Sequence, residues 1–237
     1  MIIKKGFSIA VLFLLFFGIY AQEAVLEREV TEDMFNKEKG PNLKKFDHLY
    51  VAGSTYITNS DEVEVKPVLS NDFVLGYRYK YKLLSFYNIG FDISYHHLNY
   101  NLKQNDDKVV PNSITHDKEV INFNAFDLEL YQRFQLGKTG NMIGFFIDMG
   151  GYVGWVFGAR HIIHDEVSGE DPYNAALRIT KHKDLDYTKN LDYGYKVRIG
   201  YNNIGICGSY RIADFFDDSF GYPELPRLSV GIELGLH

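Results

Sequence analysis

Residues 141–160 read NMIGFFIDMGGYVGWVFGAR, and their side chains alternate in character. One set is apolar apart from a glycine: Ile143, Phe145, Ile147, Met149, Gly151, Val153, Trp155 and Phe157. The other set is mostly small or polar: Gly144, Phe146, Asp148, Gly150, Tyr152, Gly154, Val156 and Gly158. A period of two predicts a β-strand. The segment exceeds the usual strand of about five or six residues and could cross a bilayer, which takes about nine to eleven.

The composition is that of an all-β protein with one domain. The chain has 237 residues, with 18 Tyr, 18 Phe and 21 Gly but only 6 Pro, which favours strands. A net charge of −6 argues against a nucleic-acid partner. The mean hydropathy of −0.21 would hide a barrel that faces lipid outside and a polar interior inside. The single cysteine, Cys207, excludes an internal disulfide and is expected to be an inert inward thiol.

The amino-terminal region divides into two segments before the strands begin. Residues 1–21 are predicted to be a secretory signal peptide, because Lys4 and Lys5 precede an apolar run too short to span a membrane. An uncleaved anchor helix is the alternative. Residues 22–46 are polar and lack strand alternation, which predicts a periplasmic tail or a short plug. The remaining segment, residues 47–237, is predicted to be the barrel.

The alternation predicts eight strands, at about 48–58, 71–82, 86–100, 119–136, 142–160, 187–200, 203–212 and 226–236. The connections alternate between short and long. Short turns are expected at 83–85, 137–141 and 201–202, and long polar connections at 59–70, 101–118, 161–186 and 213–225. Such a pattern is typical of antiparallel up-and-down barrels in the bacterial outer membrane, which have short periplasmic turns and longer outer loops.

The predicted outward face is apolar and its aromatic residues gather toward the strand ends. Outer-membrane barrels carry aromatic girdles at both membrane interfaces. The sequence predicts one girdle near the short turns and one near the long loops, together formed by Tyr79, Tyr81, Tyr87, Trp155, Phe157, Tyr193, Tyr201 and Tyr210.

The predicted inward face is ionic. It carries Arg78, Lys80, Asp92, His96, Asp127, Glu129, Arg133, Asp148, Lys196, Arg198, Arg211, Arg227 and Glu233. A lone buried charge costs several kcal/mol, so these groups are expected to pair. Eight strands leave room for side chains and little more. We therefore predict a filled, salt-bridged interior without a wide pore.

The end of the chain resembles a known family. It reads YRIADFF from Tyr210 to Phe216 and ELPRLSVGIELGL from Glu224 to Leu236. With the strands of residues 47–237, this end segment resembles the small outer-membrane β-barrel proteins of Bacteroidota (porin-family or PorT-like). The resemblance implies an outer-membrane location, insertion by the barrel-assembly machinery and periplasmic termini. Many such barrels end on an aromatic residue, whereas this chain ends on His237.

Three histidine-containing groups suggest chemistry. His161 and His164 could bind a metal from a loop, but in a strand they would point to opposite faces. His96 and its neighbour His97 would diverge in the same way. Ser94, His96 and Asp92 share the inward face of one strand, yet their backbone positions are about 7 Å apart, and a nucleophile and its base need about 3 Å. We expect no catalytic residue, no cofactor and no metal.

The longest predicted loop offers the remaining candidates. Asp171 and Pro172 predict a short helix start there, and Tyr173, Asn174 and Arg178 could contact a partner, since loops carry most binding functions.

The leading functional hypothesis is a closed outer-membrane barrel with a structural or interaction role through its outer loops, monomeric, and with the lipid bilayer and possibly an envelope protein as partners. The alternative is a narrow channel for ions or small solutes. A membrane-surface hydrolase or lipid-modifying enzyme is a third hypothesis. A soluble lipocalin-like carrier would require the two faces to be exchanged.

Overall fold

The computed structural model describes residues 40–136, 142–167, 176–183 and 185–237. The described part of the chain is all-β, with one short 3-10 helix, Asp218–Phe220. Its strands are β1 (Lys45–Ile57), β2 (Asn71–Lys82), β3 (Tyr87–Asn101), β4 (Lys118–Leu136), β5 (Phe145–Val167), β6 (Ala176–Lys183), β7 (Leu191–Tyr201), β8 (Ile204–Arg211) and β9 (Leu228–Leu236). None of the helical structure described is long and apolar enough to cross a membrane, a finding that concerns helices alone.

Eight of these strands close into a barrel. Around it the order is β1, β2, β3, β4, β5, β7, β8 and β9, and β9 pairs with β1. All neighbours are antiparallel. The predicted eight-stranded up-and-down barrel is therefore confirmed. We call the end with the short β2–β3, β4–β5 and β7–β8 connections the turn end, and the opposite end the loop end.

The prediction that residues 161–186 form one polar loop is wrong. Strand β5 continues to Val167, and β6 returns beside it from the pair Val167–Ala176 to the pair Arg160–Lys183. This hairpin extends beyond the barrel at the loop end. The predicted helix start at 171–175 lies outside the described residues, whereas Ala176 and Arg178 belong to β6.

A β-bulge within β5 reverses which residues, odd-numbered or even-numbered, point into the barrel. The register opposite β4 shifts between Asn124 and Ala125, which pair with Gly158 and Val156, and leaves Phe157 as the extra residue. A bulge adds one residue to one strand. Odd-numbered residues beyond Phe157 therefore point inward, and His161 is buried.

The outward face of the barrel strands carries large, exposed apolar side chains, which we call the apolar belt. Representative members from successive strands are Leu49, Leu75, Ile93, Leu130, Met149, Tyr195, Ile206 and Ile232. Ile143 is an exception to the alternation first noted. It precedes β5, and Gly144, at φ 73°, turns the chain so that Ile143 packs inside with Phe46 and Phe146.

Candidate functional site

The turn end of the lumen is closed by the segment that precedes β1. The Lys80 ammonium donates a hydrogen bond to the carbonyl oxygen of Pro41. The Gln135 side-chain amide donates to Asn42 Oδ1 at 2.7 Å and to the carbonyl oxygen of Ile143 at 2.5 Å. Residues 40–46 therefore lie across this mouth. The last two of them, Lys45 and Phe46, are the first residues of β1. Of the predicted tail, residues 22–39 lie outside the described part of the chain.

In the middle of the lumen, two arginines share the carboxylate of Asp148. Arg198 donates to both Glu129 oxygens at 2.7 Å and to Asp148 Oδ2 at 3.3 Å. Arg133 donates to the same Asp148 through Nε at 2.7 Å and through a second nitrogen at 2.8 Å. Bidentate pairs of this kind are among the strongest hydrogen bonds in proteins. The four side chains connect strands β4, β5 and β7 across the interior.

A second central group surrounds Arg78. Its guanidinium donates to Asp92 Oδ2 at 3.0 Å and to both carboxylate oxygens of Glu233, one of them at 2.8 Å. The Tyr50 hydroxyl donates to Asp92 Oδ1 at 2.8 Å, and its ring lies 4.2 Å from the Arg78 guanidinium. This group links β1, β2, β3 and β9. The middle of the lumen is thus filled by paired ions and rings.

The loop-side layer of the lumen is centred on His96. Its Nδ1 lies 2.9 Å from Asp72 Oδ2, and its Nε2 lies 3.1 Å from Ser94 Oγ and 3.2 Å from Asp127 Oδ2. The Lys196 ammonium donates to Asp127 Oδ2 at 2.9 Å. The expectation that Ser94 and His96 are too far apart is wrong, because their side chains lean together along one strand face. The carboxylate at Nδ1 is Asp72 rather than Asp92.

The distances among Ser94, His96 and Asp72 are therefore those of a serine, histidine and acid triad. Unlike the serine of such a triad, however, Ser94 is not accessible to a substrate. Two small lumen cavities, about 40 and about 20 Å³, are both lined by Asp72 and His96. Ser94 lines neither and is 2% exposed. Such volumes hold a few water molecules at most. No substrate carbonyl could reach Ser94 in this arrangement.

The loop end of the lumen is closed by an apolar cap. The ring of Phe215, from the β8–β9 connection, lies 3.9 Å from the Arg211 guanidinium. Arg211 also donates to the carbonyl oxygens of Ala213 at 2.6 Å and Leu225 at 2.8 Å. The buried members of the cap are Tyr56, Val65, Leu98, Tyr100, Leu102, Val110, Ile121, Phe123, Ala125, Val156, Leu185, Phe215, Phe216 and Leu225.

Arg227 does not join the lumen network, contrary to the sequence prediction. It precedes β9, which begins at Leu228. Its guanidinium donates to the carbonyl oxygen of Ile212 at 2.6 Å and to Asp214. The residue therefore fastens the β8–β9 connection at the loop end.

A buried ionic cluster beyond the cap was missed by the sequence analysis. Glu119 Oε1 lies 2.6 Å from His161 Nε2, and its carboxylate also accepts hydrogen bonds from Lys108 and, at 3.0 Å, from Gln104. Burial raises the pKa of Glu119, but hydrogen bonds from His161, Lys108 and Gln104 outweigh it and hold the pKa below its usual value. Odd-numbered residues of β4 point inward, so alternation could have identified Glu119.

The histidines of the suspected metal site separate as a strand requires. His161 is turned inward toward Glu119, whereas His164 pairs across the strand with Lys118 on the opposite face. Among the described residues, no group of three potential ligands could hold a metal ion.

The connections at the loop end also form a hollow of about 310 Å³ between the β1–β2, β3–β4 and β8–β9 segments. Its charges are mixed and partly paired. Glu64 accepts hydrogen bonds from Lys103 at 3.1 Å and Asn105 at 3.0 Å. Glu62 accepts from the backbone N–H groups of Asn59 and Arg227 at 2.8 and 3.2 Å.

The residues of the predicted aromatic girdles all lie on the outside of the barrel. The more exposed members are Trp155, Phe157, Tyr193, Tyr201 and Tyr210, and the half-buried members are Tyr79, Tyr81 and Tyr87. Toward the loop end, the Phe157 ring lies 5.0 Å from the ring of Phe126 and 5.9 Å from that of Trp155.

Comparison of the chain with protein-family models and with curated protein sequences finds no match.

Proposed function

We propose that this protein is an integral outer-membrane β-barrel with a closed, ion-paired interior, and that it acts through the segments at its loop end. The observation that carries the proposal is an exchange of the usual faces: compared with a soluble barrel, the large apolar side chains point outward and the charged side chains point inward. Leu130 is 67% exposed on the outside, whereas Arg78 and Glu129 are each 1% exposed inside. Soluble proteins rarely expose large continuous apolar surfaces, but lipid-facing barrel surfaces are apolar.

The same exchange argues against a soluble carrier. A lipocalin-like barrel would need a roomy apolar cavity for its ligand. Here the two interior cavities hold only about 40 and 20 Å³, and both are lined in part by the ionisable side chains of Asp72, His96 and Lys196. The hydrolase alternative lacks support because Ser94 lines neither of these two cavities and is 2% exposed.

The narrow-channel alternative is opposed by closure at three levels. Residues 40–46 cover the turn end, the arginine–carboxylate pairs fill the middle, and the apolar cap covers the loop end. An ion crossing the lumen would have to break several buried pairs, which cost several kcal/mol each to leave uncompensated.

The orientation follows from general behaviour of such barrels, in which short turns face the periplasm and long loops face outward. The proposal therefore has residues 1–21 removed as a signal peptide, both termini in the periplasm and the hollow near Glu64 facing the outside. The resemblance to small barrels of Bacteroidota agrees with this orientation, and insertion by the barrel-assembly machinery follows from it.

The proposal is tested by cell fractionation and by gel mobility in SDS with and without boiling. A folded transmembrane barrel should be found with outer membranes and should migrate faster when unboiled. Recovery in the soluble periplasmic fraction without a mobility shift would refute the proposal.

Planar-bilayer recording of the same preparation tests the channel alternative. We expect no discrete conductance steps from the wild-type protein. Steps that change when Glu129 is replaced by Gln would establish the channel instead.

A further inference from the structure

The sheet formed by β4, β5 and β6 continues beyond the barrel rim and presents basic residues on its outer face. The registers place Lys183 beside Arg160, Lys181 beside Ile162 and Lys118 beside His164. Residues opposite each other in antiparallel strands share a face. Lys118, Arg160, Lys181 and Lys183 are all exposed, and we call these four residues the basic patch.

The basic patch carries four positive charges, and the described carboxylate of Asp117 is next to Lys118 in the sequence. None of the ion pairs between described residues involves any of its four members. Two carboxylates of the same sheet region turn inward, where Glu119 contacts His161 and Asp165 lies 2.8 Å from His116. Neither of these two carboxylates lies on the face that carries the basic patch.

The basic patch lies just beyond the last aromatic residues of the apolar belt. The outward face becomes polar at Asn124, whose Oδ1 accepts a hydrogen bond from the Tyr95 hydroxyl at 2.8 Å. Arg160 follows Phe157 by three residues, or about 10 Å of strand. The headgroup layer on each side of a bilayer is about 5–8 Å thick. With the aromatic residues at the edge of the hydrocarbon, Arg160 and Lys183 lie closest to the headgroup layer. Lys181 and Lys118, which are opposite Ile162 and His164, lie farther out.

We propose that the basic patch binds the phosphorylated headgroups of anionic lipids in the leaflet at the loop end. This inference rests on the proposed function, since it requires the barrel to span the membrane. Arginine can bind phosphate oxygens through two nitrogens, and lysine adds point charges. Each basic side chain near an anionic surface favours association about fivefold.

The single tryptophan of the chain, Trp155, offers a local reporter. It is 61% exposed and lies next to Phe157, on the barrel side of the patch. A lipid whose headgroup is bound at the patch would hold its acyl chains near this indole. Brominated acyl chains should therefore quench Trp155 fluorescence in proportion to local lipid occupancy.

The experiment inserts the full chain into phosphatidylcholine vesicles that contain a small fraction of brominated lipid. Quenching by brominated phosphatidic acid is compared with quenching by brominated phosphatidylcholine. We expect a relative binding constant of about fivefold or more in favour of phosphatidic acid. Replacing Lys118, Arg160, Lys181 and Lys183 together by Gln should bring it close to one. In the wild type, 1 M salt should weaken the preference.

The matched control removes exposed lysines outside the patch. Lys103→Gln and Lys189→Gln alter side chains that are ion-paired with Glu64 and Asp218, and this double variant should keep the preference. Unboiled gel mobility checks that every variant has folded and inserted.

The outcomes separate the two proposals. A wild-type barrel that inserts but quenches equally with both lipids overturns the patch and leaves the proposed function standing. Retention of the preference in the fourfold variant also overturns the patch. Failure of the wild type to insert into either vesicle removes the proposed function and the inference with it.

Discussion

Replacing Arg198 by Met tests whether the lumen is held together by its buried ion pairs. The substitution keeps most of the side-chain volume but leaves Glu129 without the guanidinium that contacts both of its oxygens at 2.7 Å. Asp148 loses one contact at 3.3 Å and keeps its two from Arg133. Removing one partner of a buried pair costs about 3–5 kcal/mol, because the remaining charge is uncompensated.

The second variant removes both charges. Arg198→Met combined with Glu129→Met replaces the pair by apolar groups, which is often close to neutral. We therefore expect the double variant to recover most of the loss, with a coupling free energy of about 2–4 kcal/mol from the double-mutant cycle. Replacing Lys189, a partly exposed residue that pairs with the exposed Asp218, should cause no measurable change and is the control.

The measurement is urea-induced unfolding of the barrel in lipid vesicles, followed by Trp155 fluorescence and by unboiled gel mobility. The slope of the transition should remain the same in all variants, since a similar surface is exposed on unfolding. A loss below about 1 kcal/mol for Arg198→Met, or a double variant as unstable as the single one, would refute the reasoning.

Three further predictions concern other parts of the molecule. The pKa of Glu119 is lowered in the folded state, so its contribution to stability is present at neutral pH and is lost as pH falls through that lowered value; Glu119→Gln should make unfolding less sensitive to acid. Leu130→Arg on the apolar belt should destabilise the barrel in vesicles by about 2–4 kcal/mol, and the same change at the 93% exposed Val68 should have little effect in the same unfolding assay. Gly90→Ala should lower stability, because its Cβ would lie 2.2 Å from a backbone oxygen of the adjacent strand, whereas Gly53→Ala, with no atom within 4 Å, should not. Equal stabilities of the last two variants would contradict that explanation.

The barrel could be predicted because strands with one apolar and one polar face repeat one simple pattern. Alternation over residues 71–82 gave the bounds of β2 without error, and the inward parity placed Arg78 and Glu129 inside. The same parity would also have identified Asp72, Asp192 and Glu119 as inward residues. Each of the three is the second residue of its strand.

Other features depend on interactions that alternation does not encode. The residues of strand β6 show no clear alternation, and the strand forms because it pairs with β5. The bulge at Phe157 exchanges faces within one strand and is not visible in the alternation of residue types. The triad-like distances around His96 arise because Asp72 approaches from the neighbouring strand, which requires the register between β2 and β3.

The two closures of the lumen have different physical origins, and this difference bears on function. At the turn end, polar contacts from Lys80 and Gln135 fasten residues 40–46. At the loop end, Phe215 and Leu225, both from the β8–β9 connection, are fully buried in the cap. A partner that displaced this connection would have to expose those apolar side chains to water, which is unfavourable. The proposed interaction through the loop-end segments is therefore expected to use the exposed surfaces around the cap and to leave the lumen closed.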